Sequence, residues 1–134
     1  MNLLLDTHIL IWALCDDVRL SEKARDLILD ADNVIYYSPV SVWEVSLKHA
    51  LHPDNVSFTS REMARFAQEA GFLSLAMRER HVFAAETLVR KKNTPEHHDP
   101  FDRLLVGQAK AENMSFLTHD ALLPDYEERC IIPV

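Results

Sequence analysis

The stretch His97-His98-Asp99-Pro100-Phe101-Asp102-Arg103-Leu104-Leu105, followed down the chain by Leu117-Thr118-His119-Asp120, decides how the rest of the sequence reads. Asp99 before Pro100 marks a helix start, because aspartate caps free backbone amides and proline tolerates the first helical position. Asp102 then falls in the first turn, and Asp120 lies two residues beyond Thr118, at the end of an apolar strand. An α/β fold gathers helix starts and strand ends into one crevice beyond the carboxyl ends of its strands. Three carboxylates in those places make a metal-site hypothesis.

Working outward, residues 2–5 are apolar and end in Asp6, a buried strand delivering a carboxylate. A short helix follows, from Thr7 or His8 to about Leu14. Ser21 caps a helix over 22–29 that carries Ala24, Leu27 and Ile28 at helical spacing. Residues 34–37 are β-branched and aromatic, a second strand. Ser38-Pro39 opens a helix to about Ala50 with Val42, Val45 and Leu47 inward, closed by Pro53. Thr59-Ser60-Arg61-Glu62 opens another that reaches Ala70, and Gly71 suits the left-handed residue that ends many helices. Residues 72–75 read as a third strand and 78–90 as an amphipathic helix with Val82, Phe83, Ala85 and Leu88 inward. Residues 91–98 are polar, contain Pro95 and read as a loop. Residues 100–112 form a helix, 115–118 a fourth strand, and Ile131-Ile132 a short fifth at the edge. Strands alternating with helices predict an α/β fold with a parallel sheet covered by helices on both faces. With no repeat or linker, one domain over 1–134 is expected.

The 134 residues are 48% hydrophobic, enough for one core. A net charge of -7, with 21 acidic against 14 basic residues, argues against attachment to nucleic acid through a broad basic surface. It leaves room for a local basic groove or a metal-bridged contact. Cys15 and Cys130 form no metal-binding pair or disulfide framework. Asp6 and His8 interrupt the early apolar runs, no basic segment precedes them, and no run approaches the ~20 apolar residues that span a bilayer. A cytoplasmic protein without membrane attachment is the expectation.

If the first and fourth strands are neighbours, Asp6 and Asp120 face each other, with Asp102 and Glu44 placed to lean over the same crevice. Four carboxylates so close require raised pKa values or a cation. Mg²⁺ suits them, being bound by a few carboxylates together with a substrate phosphate. Each residue also has an ordinary reading: Asp99 as a cap, Asp102 as a first-turn acid, Asp6 and Asp120 as turn residues, Glu44 as the partner of Lys48. His8, His98 and His119 adjoin the acids, which admits Mn²⁺ beside Mg²⁺, although second-layer or solvent roles suit them better. His97 reads as a loop fastener, Arg103 as one half of a structural ion pair ahead of a phosphate contact, Arg90-Lys91-Lys92 as a solvated loop ahead of an RNA contact, and Trp43 as packing ahead of base stacking.

Taken together, the motifs resemble the PIN-domain family and, within it, the VapC-type toxin ribonucleases of toxin-antitoxin pairs. Leu3-Leu4-Leu5-Asp6-Thr7-His8, Ser41-Val42-Trp43-Glu44 with Lys48, the Asp99-to-Leu105 block with Gln108-Ala109, and Leu117-Thr118-His119-Asp120 follow the family's order over nearly the whole chain. The resemblance implies a three-layer α/β/α fold with strand order 3-2-1-4-5. It implies Asp6, Glu44, Asp102 and Asp120 as the catalytic metal-binding set, with Asp99 and Thr118 as accessories. It further implies an endoribonuclease using Mg²⁺ or Mn²⁺, an RNA substrate, an antitoxin partner and a homodimer. Two rivals stand beside it. One is a PIN-like binding module without catalysis. The other is a phosphotransfer domain with an acceptor aspartate, which the absence of an Asp-x-Asp pair, His8 holding its second position, disfavours.

Overall fold

Leu3, Leu4 and Leu5 of the first strand, β1 (Asn2–Leu5), are all fully buried, as a central strand covered on both faces requires. The computed structural model describes residues 1–55 and 57–134. β1 pairs in parallel with β2 (Val34–Tyr37) on one side and β4 (Ser115–Thr118) on the other. β3 (Leu73–Ser74) extends the sheet beyond β2, and β5 (Ile131–Pro133) extends it beyond β4, both in parallel. The order is β3-β2-β1-β4-β5, as the family resemblance implied.

Alternation along β1 sends Leu3 and Leu5 into one core and Leu4 into another. The first core takes Ile9, Leu10 and Trp12 from α1 (Thr7–Cys15), Ala24 from α2 (Glu22–Leu29), and Met63 and Ala67 from α4 (Ser60–Glu69). The second takes Leu105, Val106 and Ala109 from α6 (Pro100–Glu112), beside Phe116 and Leu123. α3 (Pro39–Leu51) serves both, with Val45 in the first core and Val40 in the second. The helix starts follow local chemistry. Ser21, Ser38 and Asp99 each accept from a backbone amide of the first turn, and Thr59 forms a reciprocal capping box with Glu62. Gly71, at φ +86°, takes the left-handed position after α4.

Two expectations are corrected. The helix read over 78–90 is α5 (Glu79–Glu86), which ends four residues early as Arg103 donates to the carbonyls of Ala85 and Leu88. Its inner face is His81 and Ala85, while Val82 and Phe83 are exposed. The cause lies on α6. Gly107 has no side chain, and a Cβ there would come within 2.6 Å of the His81 carbonyl and 2.8 Å of the Ala85 Cβ. Only the small Ala85 and the backbone at His81 fit that approach. His81 is fully buried yet bonded at both ring nitrogens, Nδ1 accepting from the Arg78 amide and Nε2 lying 2.8 Å from the Glu112 carboxylate. The third strand is also shorter than read, at two residues.

Gly107→Ala therefore pushes α5 off α6. Thermal denaturation of this variant should show a loss of about 1–3 kcal/mol; an unchanged midpoint would contradict this packing.

Candidate metal centre

Leu5 and Leu117 are register partners, so the residues after them, Asp6 and Thr118, emerge side by side at the carboxyl ends of the two central strands. The Thr118 hydroxyl donates to Asp6 Oδ2 at 2.6 Å and accepts from the Asp120 amide at 3.0 Å. One side chain thus ties the acid of the first strand to the turn that carries the last. Asp6 occupies the N-cap position of α1 but makes no capping bond, and its buried Oδ1 has no hydrogen-bond partner among the described residues. A residue placed merely to start a turn would use that oxygen.

Glu44 comes from the second turn of α3, which a buried 2.8 Å hydrogen bond between the Thr7 and Ser41 hydroxyls fastens to the start of α1. Its Oε2 pairs with Lys48 Nζ at 2.8 Å, one turn on. The ion pair expected from the spacing is present, but Glu44 is 3% exposed and its Oε1 is buried without a partner. Asp99 accepts from the amides of Phe101 and Asp102 at 2.9 and 3.2 Å, which aims the first turn of α6 and buries Asp102. Asp120 Oδ1 accepts from the Leu122 amide at 2.9 Å.

Asp102 and Asp6 feel the acids around them. Burial, and then the charges of Asp6, Asp99, Glu44 and Asp120, push Asp102 from an ordinary 3.8 up to about 9. Asp6 is also raised, chiefly by burial and further by Glu44, against the lowering effect of the Thr118 hydrogen bond and of His8.

A sixth member is a residue whose sequence reading stopped at fastening a loop. His97 does fasten it, Nδ1 lying 2.8 Å from the Tyr126 hydroxyl. Its Nε2, however, lies 3.5 Å from Asp102 Oδ2 and has no hydrogen-bond partner among the described residues. One ligand atom each from His97, Asp102 and Asp120 lie within 4.8 Å of one another, close enough to share an ion. Burial lowers the His97 pKa in spite of Asp120 and Asp99, which keeps the imidazole neutral and able to ligate. Asp6 and Glu44 stand outside this three-residue spacing.

The other histidines go elsewhere. His8 and His119 pack against the Trp12 ring at 5.9 and 5.4 Å, and His98 pairs with Glu96 in solvent. Three further readings are corrected. Arg103 binds helix-end carbonyls and makes no ion pair among the described residues. Arg90 is not solvated: it lies 4.9 Å over the Tyr126 ring and donates to the carbonyls of Leu122 and Pro95. Trp43 is 57% exposed rather than packed.

Two grooves meet beside the acids. One, of about 470 Å³, is lined by Glu44, Lys48, His52, His98, Asp99 and Phe101 among others. The other, of about 370 Å³, carries His8, Trp12, Arg19, Lys48 and His52. A larger concavity, about 530 Å³, lies around Lys110 and Glu128 and contains none of the acidic set. Among the described residues, no helix is long and apolar enough to cross a membrane.

The donor set fits a divalent cation. Among the described residues, Asp6 Oδ1, Glu44 Oε1 and His97 Nε2 are all buried without hydrogen-bond partners, and buried polar atoms left so are costly.

Comparison with known proteins gives the family and the fold. The PIN domain family matches residues 3–128, and the chain belongs to that family. It is similar in structure to VapBC2 from Rickettsia felis, solved bound to a DNA fragment from its promoter, with a TM-score of 0.67 at 15% identity over 100% of this chain and 98% of that one. FitAcB from Neisseria gonorrhoeae is also similar, with a TM-score of 0.61 at 16% identity over 97% and 96% of the two chains. No curated protein matches the sequence.

The raised pKa of Asp102 sets a pH dependence. Between 3.8, its value in the unfolded chain, and about 9 in the fold, the folded state holds the extra proton, so metal-free stability falls as pH rises through that window. Asp102→Asn removes the charge at issue. At pH 8 without metal it should stabilise the protein by about 1–3 kcal/mol, with little effect near pH 4; a loss of stability at pH 8 would contradict the assignment.

Proposed function

We propose that the protein is a VapC-type toxin: an endoribonuclease that hydrolyses RNA phosphodiester bonds with Mg²⁺ or Mn²⁺ held by Asp6, Glu44, Asp102 and Asp120. The observation that carries this reading is the convergence of those acids on one crevice, with Asp6 Oδ1 and Glu44 Oε1 buried and unpaired. A divalent cation there would supply water activation and charge neutralisation at the phosphoryl group. The chain's own residues do the positioning. Thr118 orients Asp6 and fixes the Asp120 turn, and Asp99 holds the helix start that presents Asp102. Lys48 and His52, shared by both grooves, lie where an RNA backbone would approach the acids. Among the described residues, the Ser38 and Ser41 hydroxyls bond to Gln108 and Thr7 and burial raises the Cys15 thiol, so none is set as an activated nucleophile, which favours direct attack by water.

The family relationship and the likeness to VapBC2 support an antitoxin partner, and with it we propose a homodimer that acts in the cytoplasm. Trp43, Leu47 and Leu51 recur every four residues along α3, and Trp43 and Leu51 are exposed. A stripe of that kind suits the apolar face of a partner helix.

Purified protein freed of any antitoxin should cleave structured RNA to 5′-phosphate and 3′-hydroxyl ends. Excess EDTA should abolish the activity, and Asp6→Asn with Asp120→Asn should reduce it by about 100-fold or more. Cleavage that survives either treatment overturns the proposal.

A further inference from the structure

His97 lies on the loop before α6 and Asp102 in that helix's first turn, so only the start at Pro100 brings them together. The imidazole is held from behind. Tyr126, in the 3₁₀ turn Leu123–Tyr126, is 3% exposed, and its ring stands edge-on to His97 at 5.5 Å. Arg90 covers the Tyr126 ring, anchored by the carbonyls of Leu122 and Pro95. The Tyr126 hydroxyl bonds only to His97 Nδ1 among the described residues. The His97 side chain is 2% exposed, and its Nε2 points without a partner at Asp102 and Asp120.

A neutral imidazole has one N–H and one lone pair. When Nδ1–H donates to the Tyr126 oxygen, Nε2 presents its lone pair to the carboxylates. Metal-bound histidines share this arrangement: one nitrogen ligates and the other donates to a fixed partner that sets the ring's orientation. In the metal-free fold that lone pair has no hydrogen-bond partner among the described residues, Asp102 Oδ2 standing 3.5 Å away.

We propose that His97 is a metal ligand, Nε2 joining Asp102 and Asp120 in a mixed nitrogen–oxygen site that favours Mn²⁺ over Mg²⁺, with Tyr126 as its positioning residue. The inference rests on the carboxylates holding a cation, and it narrows which one. A site of oxygen ligands alone suits Mg²⁺, whereas an imidazole ligand shifts preference toward transition metals.

Pulsed electron paramagnetic resonance of Mn²⁺ bound to the whole protein reads the coordination directly, because a ligating imidazole imprints nitrogen hyperfine modulation on the echo. Wild type should show that modulation and His119→Gln should keep it. His97→Phe, which retains the ring's packing on Tyr126, should lose it, with Mn²⁺ affinity falling about 10–100-fold and Mg²⁺ affinity by less. Tyr126→Phe should keep the modulation and weaken Mn²⁺ binding, a readout available even if His97→Phe does not fold. Mn²⁺ that binds wild type without nitrogen modulation, or modulation that persists in His97→Phe, overturns this inference while leaving the carboxylate site standing. Failure of wild type to bind Mn²⁺ at all overturns both.

Discussion

Mutual repulsion among the carboxylates at the ends of β1 and β4 is the constraint around which the rest of the structure is arranged. The fold contains it in two ways. Hydrogen-bond donors cover part of the charge: Thr118 on Asp6, Lys48 on Glu44, and backbone amides on Asp99 and Asp120. A retained proton removes another part, because Asp102 titrates near 9. Neither device reaches Asp6 Oδ1 or Glu44 Oε1. A fold selected for stability alone would replace such buried, unpaired acids with apolar groups. Their retention is explained if a cation completes them.

The placement of this cluster depends on sheet order, which alternating strands and helices do not specify. Periodicity locates the strands and helices, but the adjacency of β1 and β4 that brings Asp6 beside Thr118 follows from the family resemblance. Helix starts were legible because their determinants are local: Ser21, Ser38, Thr59 and Asp99 each bond within their own first turn. The inner face of α5 was not. Its apolar residues, Val82 and Phe83, mark the wrong side because Gly107, on another helix, decides which side can approach.

The same contrast holds within the site. Adjacency in sequence drew attention to His8, His98 and His119, yet their side chains turn to Trp12 or to Glu96. His97 reaches Asp102 because Tyr126, distant in sequence, holds its ring, with Arg90 packed over Tyr126 in turn. Histidine order in the motif carries no information about that steering. Ordinary and special roles also coexist. Glu44 pairs with Lys48 and still offers a buried oxygen, and Asp99 caps α6 while adding to the field that raises Asp102. Reading such residues as either structural or functional sets apart what the fold uses together.

If the proposed site is right, a divalent cation replaces a proton in this crevice. Calorimetric titration of the protein with Mn²⁺ near pH 7, in buffers of differing ionisation enthalpy, measures the protons released on binding. With Asp102 protonated in the metal-free fold and ionised when it ligates, on the order of one proton should leave per ion bound. Binding with no proton release, or no binding, would contradict the account.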